Sequence, residues 1–349
     1  MIRFYVLKRI IIAILLFFLI RILWYYRETI NLKEKKHDLE EMVFILEKKH
    51  QNALLQIKNL EMQKARMERE MEFSEARFRN FQLMKDDTRD VKILFITPTY
   101  KKLTQKADLT RLKQTLINVR NIMWILIEDA EEKSMEIEKF LNESKIPFAH
   151  LCIKTPKSKK LKDNDPSWLL PKGVLQRNEA LKWIRINWAG RQNAIVYFGD
   201  DDNTYDLKLF NEMKTINKVG IWPVGIVGGL LVETPLVSHS SGKVIGFNSI
   251  WKPERAFPID MAAFAFNISL LHDNPRASFS YDVPRGHQES HFLSTLNIKM
   301  SDLEPKANMC NSVLVWHTRT EKVSVNKKDK TKFVTGYGTT AYERDAVFI

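Results

Sequence analysis

The sequence predicts an α/β domain with a mixed, mostly parallel sheet, carried behind a long amino-terminal helix. Two observations predict it. Of 349 residues, 12 are Gly and 12 are Pro, yet the first Pro is Pro98 and the first Gly is Gly173, so neither helix breaker interrupts the first quarter of the chain. Beyond residue 90, short apolar runs alternate with amphipathic stretches, as in strands covered on both faces by helices. With 44% hydrophobic and 28% charged residues the chain can bury a core, which excludes a disordered product. Two cysteines exclude a disulfide scaffold and a Cys-rich zinc module.

Taken in order, the first element is an apolar run. Arg3, Lys8 and Arg9 precede Ile10 to Tyr26, 17 residues whose one charge is Arg21. As a helix the run is about 25 Å long, enough to span a bilayer core if Arg21 snorkels to the nearer interface. Trp24, Tyr25 and Tyr26 supply the interfacial aromatic belt, and no small-x-small cleavage site follows. These features predict an uncleaved membrane anchor over 10–26, a cytoplasmic tail of 1–9, and a luminal or extracellular remainder.

A stem over 27–90 comes next. Residues 31–90 hold 13 Lys+Arg and 13 Asp+Glu. Heptad d positions fall on Leu32, Leu39, Leu46, Ala53, Leu60, Met67, Ser74 and Phe81. The a positions fall on Lys36, Val43, His50, Ile57, Lys64, Met71 and Phe78. That pattern predicts a two-stranded coiled coil, and hence a homodimer. With no cysteine in the stem, the dimer is non-covalent.

The catalytic-sized domain runs over 91–322, with a tail over 323–349. Strands are expected at 92–97, 123–127, 148–153 and 194–198, with helices at 107–119, 131–144, 173–188 and 287–296. Of the formal +13, the anchor region carries +4 and the stem none, so +9 sits on residues 91–349, this domain and its tail together. Outside the cytosol, that excess suits anionic sugars or nucleotides rather than nucleic acid. Two basic runs are visible, Lys154 to Lys162 and Lys322 to Lys332. In parallel sheets ligands sit beyond the carboxyl ends of the strands. The polar residues there are Thr99-Tyr100, Glu128-Asp129 and Asp200-Asp201-Asp202. Three successive carboxylates repel unless a cation or donors compensate them. A hard divalent ion shared with a diphosphate, Mn²⁺ or Mg²⁺, is the economical compensation.

Seven runs then combine: Thr97-Pro98-Thr99-Tyr100, Trp124 to Glu131, Gln176-Arg177-Asn178, Asp200 to Tyr205, Trp222 to Leu230, Phe257 to Ala262, and Val315 to Glu321. In this order they resemble the β-1,3-glucuronyltransferases, glycosyltransferase family 43, over nearly the whole chain from Ile93 to about Lys322. The resemblance implies a GT-A fold on a Golgi type II membrane protein. The implied reaction is inverting transfer of glucuronic acid from UDP-glucuronate to a terminal galactose, assisted by Mn²⁺. It implies that Asp202 holds the metal, that Asp200 and Asp201 contact uridine and ribose, and that Pro98, Thr99, Tyr100 and Asp129 line the uridine pocket. Arg177, His317 and Arg319 would face the diphosphate and the uronate carboxylate, and Lys172 a donor phosphate. Glu289 in Arg285-Gly286-His287-Gln288-Glu289-Ser290 matches the general base, and Glu233, Trp251, Arg255 and Asp260 match the residues that hold the acceptor sugars.

Departures from the family are specific. Lys172 stands where familiar members have Arg, and Gly199 where they have Ala, a change expected to be neutral. Cys152 and Cys310 are left as a bridge or as buried thiols. Asn142-Glu143-Ser144 and Asn267-Ile268-Ser269 are sequons, the second in a setting too apolar to favour modification. Alternatives differ in class: another UDP-sugar donor, or a catalytically inert coiled-coil scaffold. The favoured acceptor is the galactosyl-galactosyl-xylosyl linkage of proteoglycans, with N-acetyllactosamine ends as the second reading.

Overall fold

The computed structural model describes residues 2–83, 91–160, 165, 169–191 and 193–348. By contacts the chain divides into two units, Met1–Glu75 and Ala76–Ile349. The amino-terminal unit lies within a single helix, α1 (Ile2–Leu83), uninterrupted as the absence of Gly and Pro allows. Its apolar side chains have no cover within the unit: Leu39, Leu46, Ile57 and Leu60 are all more than half exposed. Side chains at stem positions Ser74, Phe78 and Phe81, and at positions 1–11 and 13 of the anchor region, lie outside the described residues. Among the described residues no helix is long and apolar enough to cross a membrane.

In the second unit, β1 (Lys92–Thr99), α2 (Gln105–Leu116), β2 (Ile122–Glu128), α3 (Met135–Glu143), β3 (Phe148–Cys152), α4 (Val174–Asn187) and β4 (Ala194–Phe198) alternate as the sequence predicts. There follow β5 (Thr204–Tyr205), α5 (Leu207–Met213), β6 (Val219–Ile221), β7 (Val224–Val227), β8 (Leu230–Val237) and β9 (Val244–Asn248). After β10 (Phe264–Asn267) and α6 (Ile268–Asp273) come α7 (Gln288–Thr295), β11 (Leu303–Pro305) and α8 (Ala307–Cys310), a single turn wound left-handed. The chain closes with β12 (Val315–Trp316), α9 (Lys327–Thr335) and α10 (Ala341–Ala346).

The main sheet has seven strands in the order β11-β6-β10-β4-β1-β2-β3. The strands β4, β1, β2 and β3 are mutually parallel, and β10 runs antiparallel to both β4 and β6. Nearly every residue of β1, β2 and β4 is buried, which is why these strands read as continuous apolar runs rather than alternating ones. Helices cover them through residues at helical spacing, Leu109, Leu112 and Leu116 on α2, and Arg177, Ala180, Leu181 and Ile184 on α4. A smaller sheet, β5-β12-β7-β8-β9, stands beside the first and carries the carboxyl-terminal part of the site.

Three details differ from the sequence expectation, and the state of the cysteines, left open by the sequence, is decided. Helix α3 begins at Met135, not Glu131, because the Glu128 carboxylate takes the Ser134 N–H at 2.9 Å and hydroxyl at 2.7 Å and holds the preceding residues as a turn. Both cysteines are free thiols; Cys310 is buried and its thiol is pushed up to about 12 by desolvation. The stretch after 322 is not a plain tail: it folds α9 and α10 and returns Phe348 to the core, edge-on to Phe140 at 5.7 Å. Gly199 is not neutral with respect to Ala either, since a Cβ there would collide with the Phe95 ring.

Candidate active site

The carboxyl ends of β1, β2 and β4 meet at one edge of the sheet, and the backbone ties them together. The Asp129 N–H donates to Thr99 O at 2.8 Å, and the Gly199 N–H donates to Ile96 O at 2.9 Å. Pro98 and Thr99 close β1 with Tyr100 exposed beyond them. Asp129 turns its carboxylate to the Thr155 N–H at 2.7 Å and to Lys160 Nζ at 3.3 Å. Part of the first basic run therefore lies at this edge, although Lys162 lies outside the described residues.

The three aspartates have different partners. Asp200 Oδ1 accepts from Arg177 Nη2 at 3.0 Å, and Arg177 also donates to Lys172 O at 2.8 Å. This bracket is possible because Gly173, at φ 72°, lies so close to Arg177 that a Cβ would sit 2.7 Å from Nη1. The Lys172 side chain is exposed. Asp201 is buried at 6% exposure and both its oxygens are taken, one by the Thr99 hydroxyl at 2.8 Å and one by Lys102 Nζ at 2.9 Å. Burial pushes its carboxyl up to about 6, with the Lys102 ammonium and the Thr99 hydroxyl pulling it back. Asp201 thus braces the loop, and its oxygens face protein. Among the described residues the Asp202 carboxylate has one long contact, from the Thr320 N–H at 3.5 Å, while its carbonyl accepts from the Thr318 hydroxyl at 2.5 Å.

That distribution tests the metal reading. Among the described residues no cluster of three or more His, Cys, Asp or Glu could hold a metal by itself. Asp202 offers an oxygen not committed to another side chain, which fits a cation that completes its shell from a diphosphate and water rather than from a protein cage.

Opposite the aspartates, His317 follows β12, whose Trp316 packs against Gly225 of β7. His317 Nδ1 bonds Asp260 Oδ2 at 3.1 Å, and this bond, working against burial, raises the imidazole to about 8. Asp260 is held in turn: its Oδ1 accepts the Ala262 N–H at 2.9 Å, and the Ala262 carbonyl takes both Trp222 Nε1 at 2.8 Å and Tyr197 OH at 3.0 Å. Arg319 is exposed next to them.

Glu289 enters from the first turn of α7, its side chain 17% exposed. Desolvation is the main cause of a carboxyl raised to about 7, with repulsion from Asp260 adding to it and Arg255 and Arg177 opposing. Arg255 Nη1 stands 3.5 Å from Glu289 Oε2. Arg255 is spent largely on backbone carbonyls, those of Lys252 at 3.1 Å, Gly286 at 2.8 Å and Trp251 at 3.0 Å. It therefore braces the loop that presents Trp251, which is 38% exposed with the Arg285 guanidinium 4.7 Å above its ring. The Glu233 carboxyl, raised mainly by burial, accepts from the Ser249 hydroxyl.

Direct contacts and charge interactions thus bring Arg177, Asp200, Glu233, Arg255, Asp260, Glu289, His317 and Arg319 together as one group. The sequons stand apart: Asn267 caps α6 by accepting the Ser269 N–H, and the Ser144 hydroxyl is buried against Leu141 O. Sequence reasoning missed Lys102, Asp108 and Thr320. Lys102 joins Asp201 to Asp108 at 3.0 Å, and Asp108 also binds Arg111 Nη2 at 2.7 Å and Thr320 Oγ1 at 2.5 Å. Lys102 lies two residues beyond the motif residue Tyr100 and Thr320 within the run Val315 to Glu321, while nothing local marked Asp108. A hollow of about 150 Å³ lined by Leu116, Asn121 and Lys145 lies at the opposite strand ends and holds none of these residues.

The profile of glycosyltransferase family 43 matches residues 112–321. A Caenorhabditis elegans galactosylgalactosylxylosylprotein 3-beta-glucuronosyltransferase is 44% identical over 97% of this chain and 96% of its own. Galactosylgalactosylxylosylprotein 3-beta-glucuronosyltransferase 3 of Homo sapiens is 46% identical over 68% of this chain and 73% of its own, and a Drosophila melanogaster counterpart is 48% identical over 67% and 77%. Arrangement and relationship agree, and the chain belongs to glycosyltransferase family 43.

Proposed function

We propose that the protein transfers glucuronic acid from UDP-glucuronate to the 3-hydroxyl of the terminal galactose in the galactosyl-galactosyl-xylosyl linkage of proteoglycans, inverting the anomeric centre on a GT-A fold. The observation that carries this reading is the 44–48% identity to galactosylgalactosylxylosylprotein 3-beta-glucuronosyltransferases, and Glu289, 3.5 Å from Arg255 with its carboxyl raised to about 7, is the base that suits it.

Glu289 takes the proton of the acceptor hydroxyl as that oxygen bonds the anomeric carbon, while the bond from that carbon to the β-phosphate breaks and UDP leaves. Trp251, held out by Arg255, offers its face to the galactose ring, and Glu233 and Asp260 accept from sugar hydroxyls. Asp129 and Tyr100 flank the nucleotide. His317 as imidazolium, with Arg177 and Arg319, faces the diphosphate and the uronate carboxylate. Asp202 would hold a divalent ion, Mn²⁺ before Mg²⁺, which supplies neutralisation of charge on the departing diphosphate.

The same reading places the chain in the Golgi membrane as a single-pass type II protein anchored through 10–26 and dimerised through the stem. Lys8-Arg9 before the run and Trp24, Tyr25 and Tyr26 at its end support that placement, which requires Arg21 to snorkel to the nearer interface.

The test is an acceptor panel with the full chain, UDP-glucuronate and Mn²⁺. UDP release is expected with Gal-β1,3-Gal and not with Gal-β1,4-GlcNAc, and Glu289→Ala should lower kcat about 10²–10⁴-fold with donor affinity kept. Turnover retained in that variant, or a preference for Gal-β1,4-GlcNAc, sinks the assignment of base or acceptor respectively.

A further inference from the structure

A buried polar cluster behind the nucleotide edge takes no part in the reaction described above. His150, in the middle of β3, lies between two carboxylates: its Nε2 is 2.5 Å from Glu128 Oε1 and its Nδ1 meets Glu138 Oε2. All three residues are buried, at 4%, 6% and 7% exposure. A carboxylate only accepts hydrogen bonds, and a neutral imidazole has a single N–H. Filling both contacts therefore takes two ring N–H groups, which is an imidazolium.

The cluster spans three elements. Glu128 ends β2, Glu138 sits on α3, and Ser134 between them gives its N–H and hydroxyl to Glu128. Immediately after Glu128 comes Asp129. The Glu128 carbonyl also receives the Ile153 N–H at 3.0 Å, and Asp129 is bonded to Thr99 and Thr155. The position of Glu128 thus sets where three strand ends meet.

We propose that His150 is a positioning residue acting as an imidazolium clamp: it ties β2 to α3, so fixing the turn that carries Asp129, and it loosens that turn when it loses its proton. The charged groups facing it are Glu128 from β2 and Glu138 from α3, while Lys133 of the intervening turn and Glu179 of α4 act on Cys152, two residues further along β3. Burial alone would lower the imidazole, but the bonds to both glutamates outweigh it and raise it, while the Glu128 carboxyl is lowered. The sign follows for each partner. A raised histidine contributes its full stabilisation below its ordinary pKa of about 6.5 and loses it as pH climbs through the folded value. A lowered carboxylate contributes above its own ordinary value. The clamp is whole from mildly acidic to neutral pH and opens on the alkaline side.

The effect on the donor rests on the reading of Asp129 as part of the nucleotide pocket, so the experiment separates the two. In full-length protein labelled with ¹⁵N-histidine, His150 should carry both ring protons at about pH 7.5, where an ordinary imidazole is neutral. In Glu138→Gln the side-chain amide can donate to Nδ1, so a neutral His150 is fully bonded with its remaining N–H on Glu128. That variant should fold, hold a neutral His150 at about pH 7.5, and lose UDP affinity from pH 7 to 9 only as far as the His317 imidazolium titrates in both proteins, the parent weakening by about fivefold more. A neutral His150 in the parent protein at that pH overturns the clamp, whether or not the variant folds. A charged His150 with parallel UDP curves in both proteins overturns its coupling to the donor. Absence of UDP binding at every pH overturns the reading of the pocket, while the ring protonation still decides the clamp.

Discussion

Glu289 reaches a pKa near 7 because α7 carries it into a desolvated cleft beside Asp260, and that placement has a thermodynamic cost. A carboxyl whose folded pKa exceeds its unfolded one is held charged only at the expense of stability, and the expense grows as pH rises above the unfolded value. Glu289→Gln should therefore raise the unfolding stability at about pH 8 by about 1–3 kcal/mol while activity collapses; a lower Tm in the variant would contradict it. The pH profile of kcat/KM follows from the same groups. It should rise as Glu289 deprotonates near 7 and fall as His317, raised to about 8 by Asp260, loses its charge. Lys102 belongs to this scale too, since it compensates Asp201 and Asp108 at once. Lys102→Met leaves two buried carboxylates without their shared cation, which should cost about 3–5 kcal/mol. Calorimetric titration with UDP should show at least about tenfold weaker binding, largely restored by Lys102→Arg; unchanged binding in the Met variant would remove Lys102 from the site.

The elements were legible wherever their own periodicity decided them. The strands β1, β2 and β4 are apolar throughout because both of their faces are covered, and α2 and α4 show the spacing of one buried stripe. Boundaries set by particular side-chain contacts rather than by periodicity were not legible: α3 starts late because Glu128 holds Ser134, and α9 and α10 form in a stretch that reads as a tail opening on a basic run. Gly199 shows the same limit at the end of β4. Nothing in the local sequence says that the Phe95 ring fills the space of its missing Cβ. Gly199→Ala must displace that ring from its packing with Tyr197, Tyr205 and Phe210. A loss of about 1–3 kcal/mol in denaturant unfolding is the expected result, and a change within about 0.5 kcal/mol would show the core to be more accommodating.

Over the whole molecule, α1 leaves its apolar positions bare while the α/β unit buries its own. Leu39, Val43, Leu46 and Leu60 of α1 lie in water, and the proposed dimer would bury them against the same stripe of a second stem. Asp at both Leu39 and Leu46 should convert a dimer to a monomer in sedimentation, and removal of residues 1–26 should release the chain from membranes. A parent chain that is already monomeric, or soluble with its amino terminus intact, contradicts the stem or the anchor.

By itself the sequence determined the long helix ahead of the α/β core, the alternation within that core, the run of aspartates after β4 and the candidate base, because each depends on local spacing or on a motif that matches as a string. The tertiary structure decided the division of labour among them. It committed Asp201 to Lys102 and Thr99, committed Arg255 to the loop under Trp251, and left Asp202 comparatively open. It also set His150 between Glu128 and Glu138. Those roles follow from which donors reach which oxygens across distant segments, and from the desolvation that burial imposes on them, neither of which is written in the spacing of residues along the chain.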